Sequence, residues 1–133
     1  MRQLAYRAIT ESARITALIP ADQWIGDGGM DITKPQTPFG VIKFAGDERS
    51  PSRHGVPRVE VWIHDDRGSY MRIDQILAAV RTELDTNVFA FPDMPGELIC
   101  FDWQSYSPDL IDDGYNTNTR MAAFLAVGRS NNG

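Results

Sequence analysis

Thr117-Asn118-Thr119-Arg120-Met121-Ala122-Ala123-Phe124-Leu125-Ala126-Val127-Gly128 sets the architecture of this chain. The stretch opens polar and then becomes apolar at every position from Met121 to Val127. Side chains on a strand alternate between the two faces of a sheet. A run that is apolar at odd and even positions alike therefore belongs to a central strand covered on both sides. The cover is either helices or another subunit. The last five residues, Arg129-Ser130-Asn131-Asn132-Gly133, form a polar tail expected to fray, so the domain is placed at 1–128 and the tail at 129–133.

Working back from this strand, Glu97 to about Tyr106 reads as another, with Ile99, Phe101 and Trp103 on one side. Pro108 to Asn116 joins the two as a turn, and Asp112-Asp113-Gly114 supplies ordinary turn chemistry. A strand from Pro38 or Phe39 to about Gly46 and one from Pro57 to His64 form a hairpin. In the second, Val59, Val61 and Ile63 alternate with Arg58, Glu60 and Trp62, which predicts one dry face and one mixed face. The tip between them, Asp47 to Val56, is too long and too polar for a tight turn. It is either a solvated loop or an arm that orders against a neighbour.

Two helices complete the pattern. Leu4, Ala8, Ile15 and Leu18 fall near helical spacing, which predicts one amphipathic helix over Gln3–Ile19 with Arg7, Glu11 and Arg14 facing away and Pro20 ending it. Ile73, Ile76, Leu77, Val80 and Leu84 make a continuous stripe on a second helix, which the Ser69 hydroxyl can cap, while Met71, Arg72 and Arg81-Thr82-Glu83 face solvent. Between the helices, Trp24-Ile25 reads as a short strand running into a glycine-rich loop. The predicted class is a single α+β domain: a mixed, mainly antiparallel sheet flanked by two α-helices.

Composition agrees with one ordinary globular core: 133 residues, 42% hydrophobic and 23% charged. The net charge of −5, from 18 acidic and 13 basic residues, disfavours nonspecific duplex binding, which needs clustered Lys and Arg. The single cysteine, Cys100, lies in the apolar run Leu98-Ile99-Cys100-Phe101 and reads as a small buried hydrophobe. The start lacks the apolar stretch of a signal peptide, and no window reaches the roughly 20 apolar residues that cross a bilayer, so a cytoplasmic site of synthesis and no membrane partner are expected.

Catalytic chemistry has little to stand on. His64-Asp65-Asp66 sets an imidazole beside two carboxylates, but adjacent strand residues point to opposite faces, so a turn and helix start explains the pair better than a metal site. Asp27-Gly28-Gly29-Met30-Asp31 lacks the alternating oxygen ligands and closing Glu of a calcium loop. Ser105 and Ser107 have no glycine elbow, and no phosphate-binding glycine loop precedes either helix. No enzyme, metal or cofactor is expected.

Apolar surplus instead points to assembly. Asn87 to Gly96 is apolar yet twice interrupted by proline, so it is packed loop or interface. Phe89, Phe91 and Met94 would make an apolar patch there, unless the monomer's own core absorbs them. Arg49, Arg53 and His54 in the hairpin tip could meet an acidic neighbour.

Four segments carry a family resemblance: Ala17-Leu18-Ile19-Pro20 closing the first helix, Lys34-Pro35-Gln36-Thr37-Pro38-Phe39-Gly40-Val41-Ile42 leading into a strand, Arg58-Val59-Glu60-Val61-Trp62-Ile63, and Ile73-Asp74-Gln75-Ile76-Leu77. Together the chain resembles the tail terminator, or tail completion, proteins of long-tailed bacteriophages. The resemblance implies a mixed sheet flanked by helices and a homo-oligomeric ring of six copies, seated on the head-proximal end of the tail tube in the virion and assembled in the host cytoplasm. Its partners would be the tail tube protein and the head-tail connector, with DNA as passing cargo, and the family brings no catalytic residues. Two other classes stay open: a different connector or minor tail protein, and, as a third, a small enzyme or ligand-binding domain with a deep pocket.

Overall fold

The computed structural model of the protein describes residues 2–26, 35–45 and 58–130. Among them run α1 (Arg2–Thr10), α2 (Ala13–Thr16), β1 (Trp24–Ile25), β2 (Phe39–Ala45), β3 (Arg58–Asp65), α3 (Met71–Leu84), β4 (Val88–Ala90), β5 (Glu97–Tyr106), β6 (Leu110–Asp112) and β7 (Thr117–Ser130). A single 3-10 turn, Ala21–Gln23, precedes β1. The strands form one sheet in the order β1-β2-β3-β7-β5-β4, with β6 pairing β7 where β5 has ended. All pairings are antiparallel except β1 with β2, so the expected mixed, mainly antiparallel α+β architecture is what the chain adopts.

β7 is the hinge of the topology. It pairs with β3 from Asn118 to Leu125 and with β5 from Ala122 to Ser130. The strand therefore runs past the expected end at 128, because Glu97 and Leu98 offer partners in register with Ser130 and Arg129. A register shift between Trp103 and Ser105 lets β5 twist across it.

The helices pack on one face of the sheet. Leu4, Ala5, Ala8 and Ile9 of α1, Ile15 of α2, and Ile73, Ile76, Leu77, Val80 and Leu84 of α3 join Val59, Val61, Ile63, Ile99, Phe101, Ala122, Phe124 and Ala126 in one core. The stripe on α3 is the predicted one, and the Ser69 hydroxyl accepts from the Met71 amide at 3.1 Å. Arg81, expected to face solvent, instead lies with its guanidinium 3.6 Å from the centre of the Trp103 ring, and Glu83 pairs with Arg14 at 3.4 Å.

The first helix differs from its expectation. It breaks at Glu11-Ser12, where the Ser12 hydroxyl accepts from the Ile15 amide at 3.2 Å and starts a new short helix. The periodic apolar pattern continues across the break because both pieces cover the same core. β6 corrects the reading of Pro108–Asn116 as turn alone, since Leu110, Ile111 and Asp112 pair with Thr119, Asn118 and Thr117. The turn proper lies beyond it, with the Asp112 carboxylate accepting from the Tyr115 amide at 2.8 Å.

Candidate interaction surface

The second face of the sheet carries no described helix. Register places Phe39, Val41 and Lys43 of β2, Arg58, Glu60, Trp62 and His64 of β3, and Thr119, Met121, Ala123, Leu125 and Val127 of β7 on it. Cys100, Asp102 and Leu98 of β5 and Val88 and Ala90 of β4 extend the same face to the sheet's far edge.

One end of this face is closed. Phe39 stacks on His64 with ring centres 4.7 Å apart, Tyr115 meets both rings edge-on, and the Thr117 hydroxyl lies 2.8 Å from His64 Nδ1. Aromatic packing and hydrogen bonding thus satisfy a cluster in which Phe39, His64, Thr117 and Thr119 are all buried. In the middle, Val41 and Met121 flank Trp62, whose Nε1 donates to Glu60 at 3.0 Å while the Lys43 ammonium sits 5.2 Å from its ring centre.

The other end is open. Val88 pairs with Cys100 and Cys100 with Val127, so the three stand in one row across β4, β5 and β7. Val88 is 61% exposed and Val127 53%, with Cys100 half-buried between them. Leu98, Ala90 and Leu125 adjoin the row. This row is the most exposed apolar part of the described sheet face. Toward the other end of β7, Leu110 and Ile111 (51% exposed) of β6 lie beside the start of α3, where Met71 is 80% exposed and the Tyr70 hydroxyl donates to the Leu110 carbonyl.

The residues singled out in the sequence divide. Arg49, Arg53 and His54 lie outside the described residues. Phe89, Phe91 and Met94 all pack against the monomer's core: Phe89 meets Phe101 edge-on at 5.8 Å, and Phe91 lies beneath the Arg7 guanidinium at 4.2 Å. Arg7 is itself held there by Asp93 and Glu11. The strand side chains that β4 leaves exposed are instead Val88 and Ala90, on its opposite side. Sequence pattern carried no sign of this, since Val88 and Phe89 are both apolar and the three-residue strand is too short to show alternation. Cys100 is half-buried on the open face, whereas a buried site was expected.

Chemistry at His64-Asp65-Asp66 is dispersed. Asp65 pairs with Arg72, whose Nε donates at 2.8 Å, and Asp66 accepts from the Thr37 hydroxyl at 2.8 Å, while His64 meets Thr117. Burial pushes the Asp65 carboxyl up, but the Arg72 guanidinium and the Asp66 amide outweigh it and hold the group below the usual carboxylate range. Among the described residues no group of three or more His, Cys, Asp and Glu side chains is placed to hold a metal ion. A groove of about 210 Å³ lined by Arg2, Gln3, Tyr6, Gly26, Ile42 and Phe44 opens between α1 and β2, and its walls are mostly apolar with no converging acid and base. Among the described residues no helix is long and apolar enough to cross a membrane.

Comparison with protein-family models, with curated proteins and with solved structures finds no match.

Proposed function

We propose that this protein is a structural component that works by self-assembly, forming a ring that caps the head-proximal end of a bacteriophage tail tube, ends tube polymerisation and presents a joining surface to the head. The observation that carries the proposal is the open row Val88–Cys100–Val127 on a sheet face that has no described helix over it. Burying a valine is worth about 1.5–3 kcal/mol relative to leaving it in water, so two exposed β-branched residues in one row favour a partner surface over solvent. The architecture is a mixed sheet with helices packed on it, and the family resemblance implies a mixed sheet flanked by helices.

In this reading no bond is made or broken. The helix-covered face stabilises each copy and the open face joins copies. An acidic chain, net −5, also suits a ring through which DNA slides, because a basic lining would hold phosphates through counterion release. The test is tube length. Polymerising tail tube protein with rising amounts of this protein should give shorter tubes, with a ring at one end in electron micrographs. Tubes of unchanged length with bare ends would contradict the proposal.

A further inference from the structure

The row Val88–Cys100–Val127 and the corner Met71–Tyr70–Ile111 differ in residue content and lie at opposite ends of the same strand. Leu110 and Ile111 are in register with Thr119 and Asn118, whereas Cys100 is in register with Val127. Eight strand residues separate those positions, a span of about 27 Å at the rise of a β-strand. A closed ring of identical copies needs this arrangement, one patch meeting a different patch on the next copy. A two-fold pair would have to make the same contact twice about one axis, row on corner and corner on row.

Charge favours the same pairing. The corner is bordered by Asp109 and Asp113, both exposed, and by Asp112; the nearest cation to Asp109 is Arg120, at 3.5 Å. Arg67, which donates to Asn116, and Arg72, which follows Met71 and pairs with Asp65, are further cations beside this corner. The open face is bordered by exposed Lys43 and Arg58. Its carboxylates are Glu60, which Arg58 approaches at 3.3 Å and the Trp62 indole bonds, and Asp102. An acidic apolar corner thus faces an apolar row whose described charges balance, which opposes docking of the corner on a second corner and leaves the row as the better seat for it.

Resting on the ring reading above, we propose that copies join by seating the Val88–Cys100–Val127 row of one on the Met71–Ile111 corner of the next. The occupant of each patch is a second copy of this chain.

Complementation tests it. Val88→Asp with Val127→Asp disables the row, and Met71→Asp with Ile111→Asp disables the corner. All four side chains are more than half exposed, and circular dichroism checks that both variants stay folded; milder Val127→Gln and Ile111→Gln variants repeat the experiment if either has lost its spectrum. Native mass measurement should find each variant monomeric at concentrations where the natural chain assembles. An equimolar mixture should then give a species of twice the 14.9 kDa chain mass and nothing larger, since one good row meets one good corner. A corner variant that assembles by itself as the natural chain does would overturn the proposal, because the row would then be pairing with itself. A mixture that stays monomeric, or a natural chain that never associates, would overturn it as well, while the end-capping reading would still be decided by tube length.

Discussion

Phe124 and Leu125 are neighbours on one strand and meet opposite surroundings. Phe124 is fully buried among Phe101 and the helices, whereas Leu125, on the other side of β7, is half-exposed beside Val127, which is 53% exposed. The two faces of the sheet are similarly apolar along β7, but among the described residues one is closed and the other only in part. Sheet faces left apolar and uncovered are unusual in a monomer. On the proposed reading, β7 serves two partners, its own helices on one side and a second copy on the other.

The largest effect is expected from damage to the covered face. Leu77→Ala removes a fully buried side chain from α3 and should cost about 2–5 kcal/mol in denaturant unfolding, with association of the remaining folded protein unchanged. An effect below about 1 kcal/mol would mean the helices do not hold this face shut. Phe89→Ala should cost somewhat less, about 2–3 kcal/mol, because Phe89 is only partly buried against Phe101, while Val88→Ala next to it should leave stability nearly unchanged. Equal effects at the two positions would erase the distinction between faces of β4.

Gly40→Ala probes the same contrast at the opposite edge of the sheet. A Cβ there would lie 2.1 Å from the Trp24 ring, whose Nε1 donates to the Ile19 carbonyl, so the indole must move. Overpacking of this kind costs about 1–3 kcal/mol, and a change in tryptophan fluorescence should accompany it. Val127→Asp should alter unfolding by less than about 0.5 kcal/mol yet weaken self-association by roughly tenfold or more, the signature of a surface used between molecules.

The smallest effect is a pH dependence at the end of β3. Arg72 lowers the folded-state pKa of Asp65. The stabilisation is therefore present above the unfolded value near about 4 and is lost as pH falls through the lower folded value. Asp65→Asn should flatten the stability profile below about pH 4 and leave it unchanged in shape near about pH 7; a profile of natural shape in the acid range would remove the pair from the acid response.

Much of the architecture was legible because periodicity records burial. The stripe Ile73 to Leu84 and the alternation of Val59, Val61 and Ile63 fixed α3, β3 and their core faces. The break at Ser12 was hidden because both helical pieces cover one core, so the apolar spacing persists across it. β6 was hidden by its length of three residues, too short to show a period. The exposed row was beyond reach for a different reason. A doubly apolar strand such as Ala122–Val127 announces two covers without saying which of them the chain supplies, and the aromatic residues that looked available, Phe89 and Phe91, are the ones the monomer's core uses.

Whether the open face joins copies is decided by native mass measurement of the natural chain across a concentration and salt series. Monomer should give way, as concentration rises, to one closed species of fixed copy number, weakened by added salt as screened charge pairs would be. A protein that stays at 14.9 kDa throughout, or an open-ended ladder of masses with no preferred size, would contradict assembly into a ring.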